Sequence, residues 1–141
     1  MKAGTGSCLC GSISYKVLAD PISARVCWCS VCQKIASNGT VNAVINSEFL
    51  QVEGDLSEYK CVAESGNEVI RRFCPNCGSH LFANSSAFPD FTVLRIGTLD
   101  DPSSIKPSMN IWSDSAPSWA CMNPDIENIK GQPVPPQERN N

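Results

Sequence analysis

Three cysteines, Cys27, Cys29 and Cys32, fall within six residues of the run VCWCSVCQK. Thiols one residue apart cannot close an unstrained disulfide with each other. They can all reach one metal ion if the backbone turns between them. Zinc takes thiolates at ~2.3 Å in a tetrahedron; a structural site closes with four protein ligands, and a site with three keeps a position for water or substrate.

A second arrangement is more specific. FCPNCGSHLF places Cys74 and Cys77 in a Cys-x-x-Cys turn followed by Gly78. Glycine takes positive φ without a Cβ penalty, so the turn closes tightly and forms a zinc knuckle. One knuckle gives two ligands, and a closed site needs two more. Cys29 and Cys32 could supply them, which would leave Cys8, Cys10 and Cys27 over. Alternatively Cys8 and Cys10, in SCLCG, pair with the knuckle and leave the triplet as its own site. Spacing favours the second division slightly, because it builds each site from compact units. The competing readings are two structural sites, the second closed by Cys61, Cys121 or His80, and a metal-free redox cluster.

The elements that position these residues read as short strands. SISYKV alternates and sets Ile13, Tyr15 and Val17 on one face. TVNAVIN sets Val41, Ala43 and Ile45 on one face and Val44 on the other. SEYKCVA, NEVIRRF, SHLFAN and FTVLRIG read as further strands, separated by turn signals that include ESGN, a hairpin loop. Helix is expected only around Ser30 to Ala36 and in a short piece near Leu99 to Ser104. The fold class is therefore mainly β, antiparallel and loop-rich, with short helical turns. Residues 1–130 form one domain, and residues 131–141 (GQPVPPQERNN) a polar, proline-rich tail over the surface.

At 141 residues the chain buries enough surface to hold a core without staples, so its nine cysteines call for chemistry. The net charge is −3 and the eleven lysines and arginines are scattered, which disfavours a nucleic-acid binder. No signal-peptide pattern and no run of ~18 apolar residues occurs. A reducing compartment, the cytoplasm, is the expected address, and there clustered thiols more often mean metal or catalysis than disulfides.

In order, GSCLCGSISY, CWCSVCQK, RRFCPNCGSHLF and MNIWSDSAPSW resemble the glutathione-dependent formaldehyde-activating enzyme family, which includes the centromere protein V domains. The resemblance runs from Ser7 to Trp119. It implies a β-tent fold, a structural zinc at Cys8, Cys10, Cys74 and Cys77, and a second zinc with an open position at Cys27, Cys29 and Cys32: two zinc ions per chain. It implies a carbon–sulfur lyase that joins glutathione and formaldehyde to give S-hydroxymethylglutathione. The chain departs from the family pattern at two positions, with Trp28 and Asn110 where histidine is usual. Trp28, Asn110 and Trp112 are the expected substrate contacts, and the bland alternative for Trp112 is an ordinary core aromatic. An anionic thiol beside seven thiolates needs a local cation, for which Lys34, Arg25, Arg71 and Arg72 are candidates. The rival from another class is a non-catalytic zinc module for a protein partner, whose sign would be a fourth protein ligand at the triplet.

Overall fold

The computed structural model describes residues 4–63 and 66–133. Eleven strands and one α-helix follow in the order β1 (Gly4–Ser7), β2 (Ser14–Val17), β3 (Ser23–Cys27), α1 (Ser30–Ala36), β4 (Thr40–Asn46), β5 (Leu50–Glu53), β6 (Ser57–Val62), β7 (Glu68–Phe73), β8 (His80–Ser85), β9 (Phe91–Arg95), β10 (Met109–Ile111) and β11 (Glu127–Asn128). Single 3-10 turns lie at Ile96–Thr98 and Pro102–Ser104, where the short helical piece was expected.

Two sheets lean on one another. The small one has the order β1-β2-β5, and the large one β11-β10-β3-β4-β9-β8-β7-β6. The alternation read in SISYKV aims Ile13, Tyr15 and Val17 into the shared core, where they meet Ala24, Ala43, Ile45, Phe82 and Leu94 of the large sheet. Tyr15 packs edge-on against Phe82 with ring centroids 5.3 Å apart. Its hydroxyl bonds Thr98 Oγ1 at 2.8 Å, which satisfies the polar tip of a buried ring. Burial pushes the phenol pKa up to about 12. Gly6 is required by space: a Cβ there would lie 2.3 Å from the Tyr15 hydroxyl and 2.4 Å from the Thr98 carbonyl oxygen.

One expectation is corrected. Val41 shares the face of Ala43 and Ile45 by parity but is exposed at the end of β4, while Thr40, Asn42 and Val44 on the other face are all buried. Both faces of this central strand are thus covered, and simple alternation cannot describe it. The sheets are mostly antiparallel, as expected, and the parallel pairs are those of β10 with β3 and β11. β10 returns to β3 after β4 to β9 have been laid down, so its long connection permits a parallel approach. At ESGN the flanking strands β6 and β7 do pair antiparallel. Residues 64 and 65 of that loop, and 134–141 of the tail, lie outside the described residues. Gly131 and Gln132, which open the tail, accept hydrogen bonds from the backbone and indole N–H of Trp112.

Among the described residues no helix is long and apolar enough to cross a membrane.

Candidate functional site

The sulfurs of Cys8, Cys10, Cys74 and Cys77 all lie within 4.8 Å of one another. Cys8 and Cys10 sit in the turn between β1 and β2, and Cys74 and Cys77 in the turn between β7 and β8. Each turn closes like the other. Gly11 N–H donates to the Cys8 carbonyl at 3.2 Å, and Gly78 N–H to the Cys74 carbonyl at 2.9 Å. Both glycines have positive φ, 82° and 77°. Leu9 N–H donates to Ser79 Oγ at 3.1 Å and ties one turn to the other. Backbone donors point at the sulfurs: Ile13 N–H at Cys8 and Cys77 N–H at Cys74. Hydrogen bonds from Ser79 hold the Cys77 thiol pKa down to about 5, and those from Ser12 and Asn76 hold Cys10 at about 7.

The sulfur spacing can be tested against a metal. Thiolates at ~2.3 Å from a tetrahedral centre lie about 3.8 Å apart. The Cys8–Cys10 and Cys10–Cys74 separations are 3.6 and 3.8 Å. The donor set and its spacing fit zinc.

Cys27, Cys29 and Cys32 form a second group, their sulfurs also within 4.8 Å of one another. Among the described residues no fourth His, Cys, Asp or Glu joins it. Cys27 ends β3. Cys29 is the N-cap of α1, and its sulfur accepts Cys32 N–H at 3.3 Å. Cys32 lies in the first turn of that helix. A sulfur at an N-cap takes the place of the usual oxygen acceptor and gains from the helix dipole as an anion. Hydrogen bonds from Cys27 and Cys32 push the Cys29 thiol far below the ordinary range, and the same bond pushes Cys27 up. Cys29 is also half-exposed, whereas Cys27 and Cys32 are buried, so the group opens to solvent at Cys29.

Around the triplet pack Met109, Ile111, Trp112 and Ile129. Gln33 fastens the site from below, donating to the Trp28 carbonyl at 2.7 Å and the Ser115 carbonyl at 2.9 Å. A polar chain leads away from the sulfurs. The Thr40 side chain acts on Cys32 in the sense that favours its ionised form. Thr40 Oγ1 in turn accepts from Asn42 Nδ2 at 2.9 Å, and Asn42 Oδ1 accepts from an Arg95 guanidinium N–H.

The three expected substrate contacts separate. Cys27 pairs Ile111 across the parallel ladder, and Val26 pairs Asn110 one position earlier. Strand alternation therefore sets Val26 and Asn110 on the face away from Cys27. Asn110 is 1% exposed and donates to Asn128 Oδ1 at 2.9 Å. Trp28 is 3% exposed, a buried ring and not a surface one. A Cβ on Gly39 would lie 2.8 Å from Val26 and 3.0 Å from the Trp28 ring, so the indole occupies the space that glycine leaves. The pleat of two short strands thus sets Asn110 on the face away from Cys27 and buries the Trp28 ring between Val26 and Gly39. Trp112 is the one of the three packed against the triplet. It holds an unusual φ of 55° at the end of β10.

The family model that matches residues 3–115 is described as "Glutathione-dependent formaldehyde-activating enzyme". The chain belongs to this family. A Halomonas elongata protein provisionally named as such an enzyme is 24% identical over 123 residues, 81% of this chain and 77% of its own. A crystal structure of a Rhodobacter sphaeroides protein is similar in fold, with a TM-score of 0.57 and 22% identity, covering 73% of this chain and 91% of its own. In this family member Trp28 and Asn110, which stand where histidine is usual, are both buried.

The candidate cations also separate. Lys34 is exposed in the last turn of α1, and Arg72 pairs with Glu58 at 3.4 Å. Arg25 lies on the Cys27 face of β3. Arg95 was missed by sequence reasoning. It lies 63 residues beyond Cys32 in a strand that reads as apolar, and only the β4–β9 register, Asn42 opposite Arg95, reveals it. Of the possible fourth ligands, Cys61 accepts from Arg71 at 3.1 Å, His80 stacks on Phe73, and Cys121 is exposed.

Proposed function

We propose that Cys27, Cys29 and Cys32 hold a zinc ion and present it to a small thiol, glutathione on the strength of the family, for reversible addition to formaldehyde. The thiol sulfur forms a bond to the carbonyl carbon, the C=O π pair goes to oxygen, and the thiol proton ends on that oxygen as S-hydroxymethylglutathione. No redox partner is needed. A second zinc at Cys8, Cys10, Cys74 and Cys77 joins the two sheets.

The observation that carries this reading is the contrast between the groups: four thiols close one, and three make up the other. Bound at the triplet, zinc would ionise an incoming thiol at neutral pH, and a thiolate is the nucleophile for an aldehyde. The chain's own residues prepare that place. Cys29, whose ionised form its neighbours and the helix favour, faces solvent and marks the side of entry. Buried Cys27 and Cys32 keep the opposite side dry among Met109 and Ile111. Thr40 acts on Cys32 in the sense that favours its anionic form.

Metal analysis of protein purified without chelator should approach two zinc ions per chain. Calorimetry with glutathione in two buffers of different ionisation enthalpy should show roughly one proton released per thiol bound. Product formation is followed separately, by NMR of S-hydroxymethylglutathione. Zinc-replete protein with one ion and free triplet thiols refutes the site. Protein with two ions and no heat with any thiol shifts the reading to a partner-binding module.

A further inference from the structure

The face of the large sheet that carries Cys27 also carries Arg71 and Arg95, neither of which pairs with a carboxylate among the described residues. The registers fix this. Cys27 pairs Thr40, and Arg25 pairs Asn42, on β3 and β4. Asn42 pairs Arg95 and Val44 pairs Val93 on β9. Val93 pairs Ala83 on β8, and Ala83 pairs Arg71 on β7. All these residues therefore point to one side. Arg95 lies two strands from Cys27. Arg71 lies two strands further, with only the methyl of Ala83 between it and β9.

The charges that act on Arg95 are the three triplet cysteines and Arg71, with no carboxylate among them. Those that act on His80 are Arg95 and Arg71. Arg72, which alternation sends to the other face, has Glu58. Among the described residues Arg71 donates to Cys61 and Arg95 to Asn42, while Arg71 Nε, Arg95 Nε and His80 Nδ1, like Arg72 Nε, are buried without a hydrogen-bond partner. A protein interior rarely leaves neighbouring like charges and donors unanswered. An anion with two oxygens answers both, since guanidinium groups match a carboxylate in charge and geometry.

We propose that Arg71, Arg95 and His80 form a carboxylate subsite for the thiol substrate, whose sulfur lies at the Cys27, Cys29 and Cys32 group. This rests on the reading of that group as a thiol site. The subsite selects thiols that carry a carboxylate well separated from the sulfur. Two strand spacings put Arg95 about 10 Å from Cys27 at the backbone, the scale of a small peptide rather than of a single amino acid. Thiols without a carboxylate bind through sulfur alone.

The test uses the zinc-replete full chain and two ligands that divide the site. 2-Mercaptoethanol has the thiol and no carboxylate. S-methylglutathione has the carboxylates and a sulfur that cannot ionise. Arg71→Gln should weaken glutathione and S-methylglutathione roughly tenfold or more, the scale of a lost charge-assisted bond, and leave 2-mercaptoethanol unchanged. Cys29→Ser should do the reverse, losing 2-mercaptoethanol and keeping weak S-methylglutathione binding. Arg95→Gln should weaken S-methylglutathione as Arg71→Gln does, and Arg95→Lys should weaken it less, with circular dichroism and zinc content confirming the fold. Equal binding of glutathione and its diethyl ester, or S-methylglutathione binding that ignores Arg71→Gln, overturns the subsite. If no thiol binds while S-methylglutathione still depends on Arg71, the subsite stands and the thiol-site reading fails.

Discussion

Replacing Thr40 by valine keeps the shape of the side chain and removes one hydroxyl. That hydroxyl accepts Asn42 Nδ2 at 2.9 Å and acts on Cys32 in the sense that favours its ionised form. Thr40 and Asn42 are 5% and 3% exposed, so water cannot replace that bond. The remaining acceptor for Asn42 Nδ2 is the Thr40 carbonyl at 3.4 Å, beyond good hydrogen-bond distance. Leaving a buried amide donor unsatisfied costs about 1–3 kcal/mol. The lost support for an ionised Cys32 adds to this, which makes about 2–3 kcal/mol a reasonable net loss. With a urea m-value of about 1–3 kcal/mol/M, the zinc-replete unfolding midpoint should fall by about 1 M. The metal site should respond as well. Without that hydroxyl Cys32 ionises less readily, protons compete better for the sulfur, and on acidification the triplet should lose zinc at a higher pH than in the parent protein. Thr40→Ser, which keeps the hydroxyl, should behave like the parent in both assays. A Thr40→Val protein within ~0.5 kcal/mol of the parent, with the same pH of zinc release, refutes the linked chain from Arg95 to Cys32.

Cys74→Ser should give insoluble or unfolded chain, because a structural zinc contributes its binding energy to folding; Cys29→Ser should stay folded and carry one zinc, as judged by circular dichroism and metal content. His80 has a pKa lowered by burial and by Arg95 and Arg71, so its share of stability is present above pH 6.5 and is lost as the pH falls below it. His80→Gln should therefore flatten the decline in chemical-denaturation stability between pH 6.5 and 5. Trp28→Ala should destabilise by ~3–5 kcal/mol, as for any large buried ring, in thermal or urea unfolding. It should leave two zinc ions per chain, which a ring acting at the sulfurs would not predict.

The cysteine groups were legible because short spacings restrict what a thiol can do, whatever the fold. The division into four and three was open on spacing alone; the resemblance decided it, and the sulfur positions agree. Most strands were legible from alternation, as in Ile13, Tyr15 and Val17. β3 and β10 were not. SARVC mixes polar and apolar residues because Arg25 and Cys27 face a polar site, so neither face of the strand looks like a core. Val41 misled because β4 is central and its polar face is covered too. The roles of Trp28 and Asn110 depend on which way a two- or three-residue pleat turns, and that is set by pairing partners far along the chain. Arg95 was invisible for the same reason: nothing local distinguishes an arginine that faces a thiolate from one that faces water.

The two thiol groups differ in how much chain must exist before they can form. Cys27, Cys29 and Cys32 lie within six residues, whereas Cys10 and Cys74 are 64 positions apart. During synthesis the compact group is complete while β4 and all that follows are still unmade, and an unfolded segment carrying it is already a chelator. The other group must wait for β7 and the turn after it, and closing so long a loop carries an entropic cost that only the assembled sheets offset. If both groups take zinc, the order of metal capture would be opposite to the order of structural importance: the group that joins the two sheets would fill last, and scarce zinc would load the triplet while the sheets stayed unjoined.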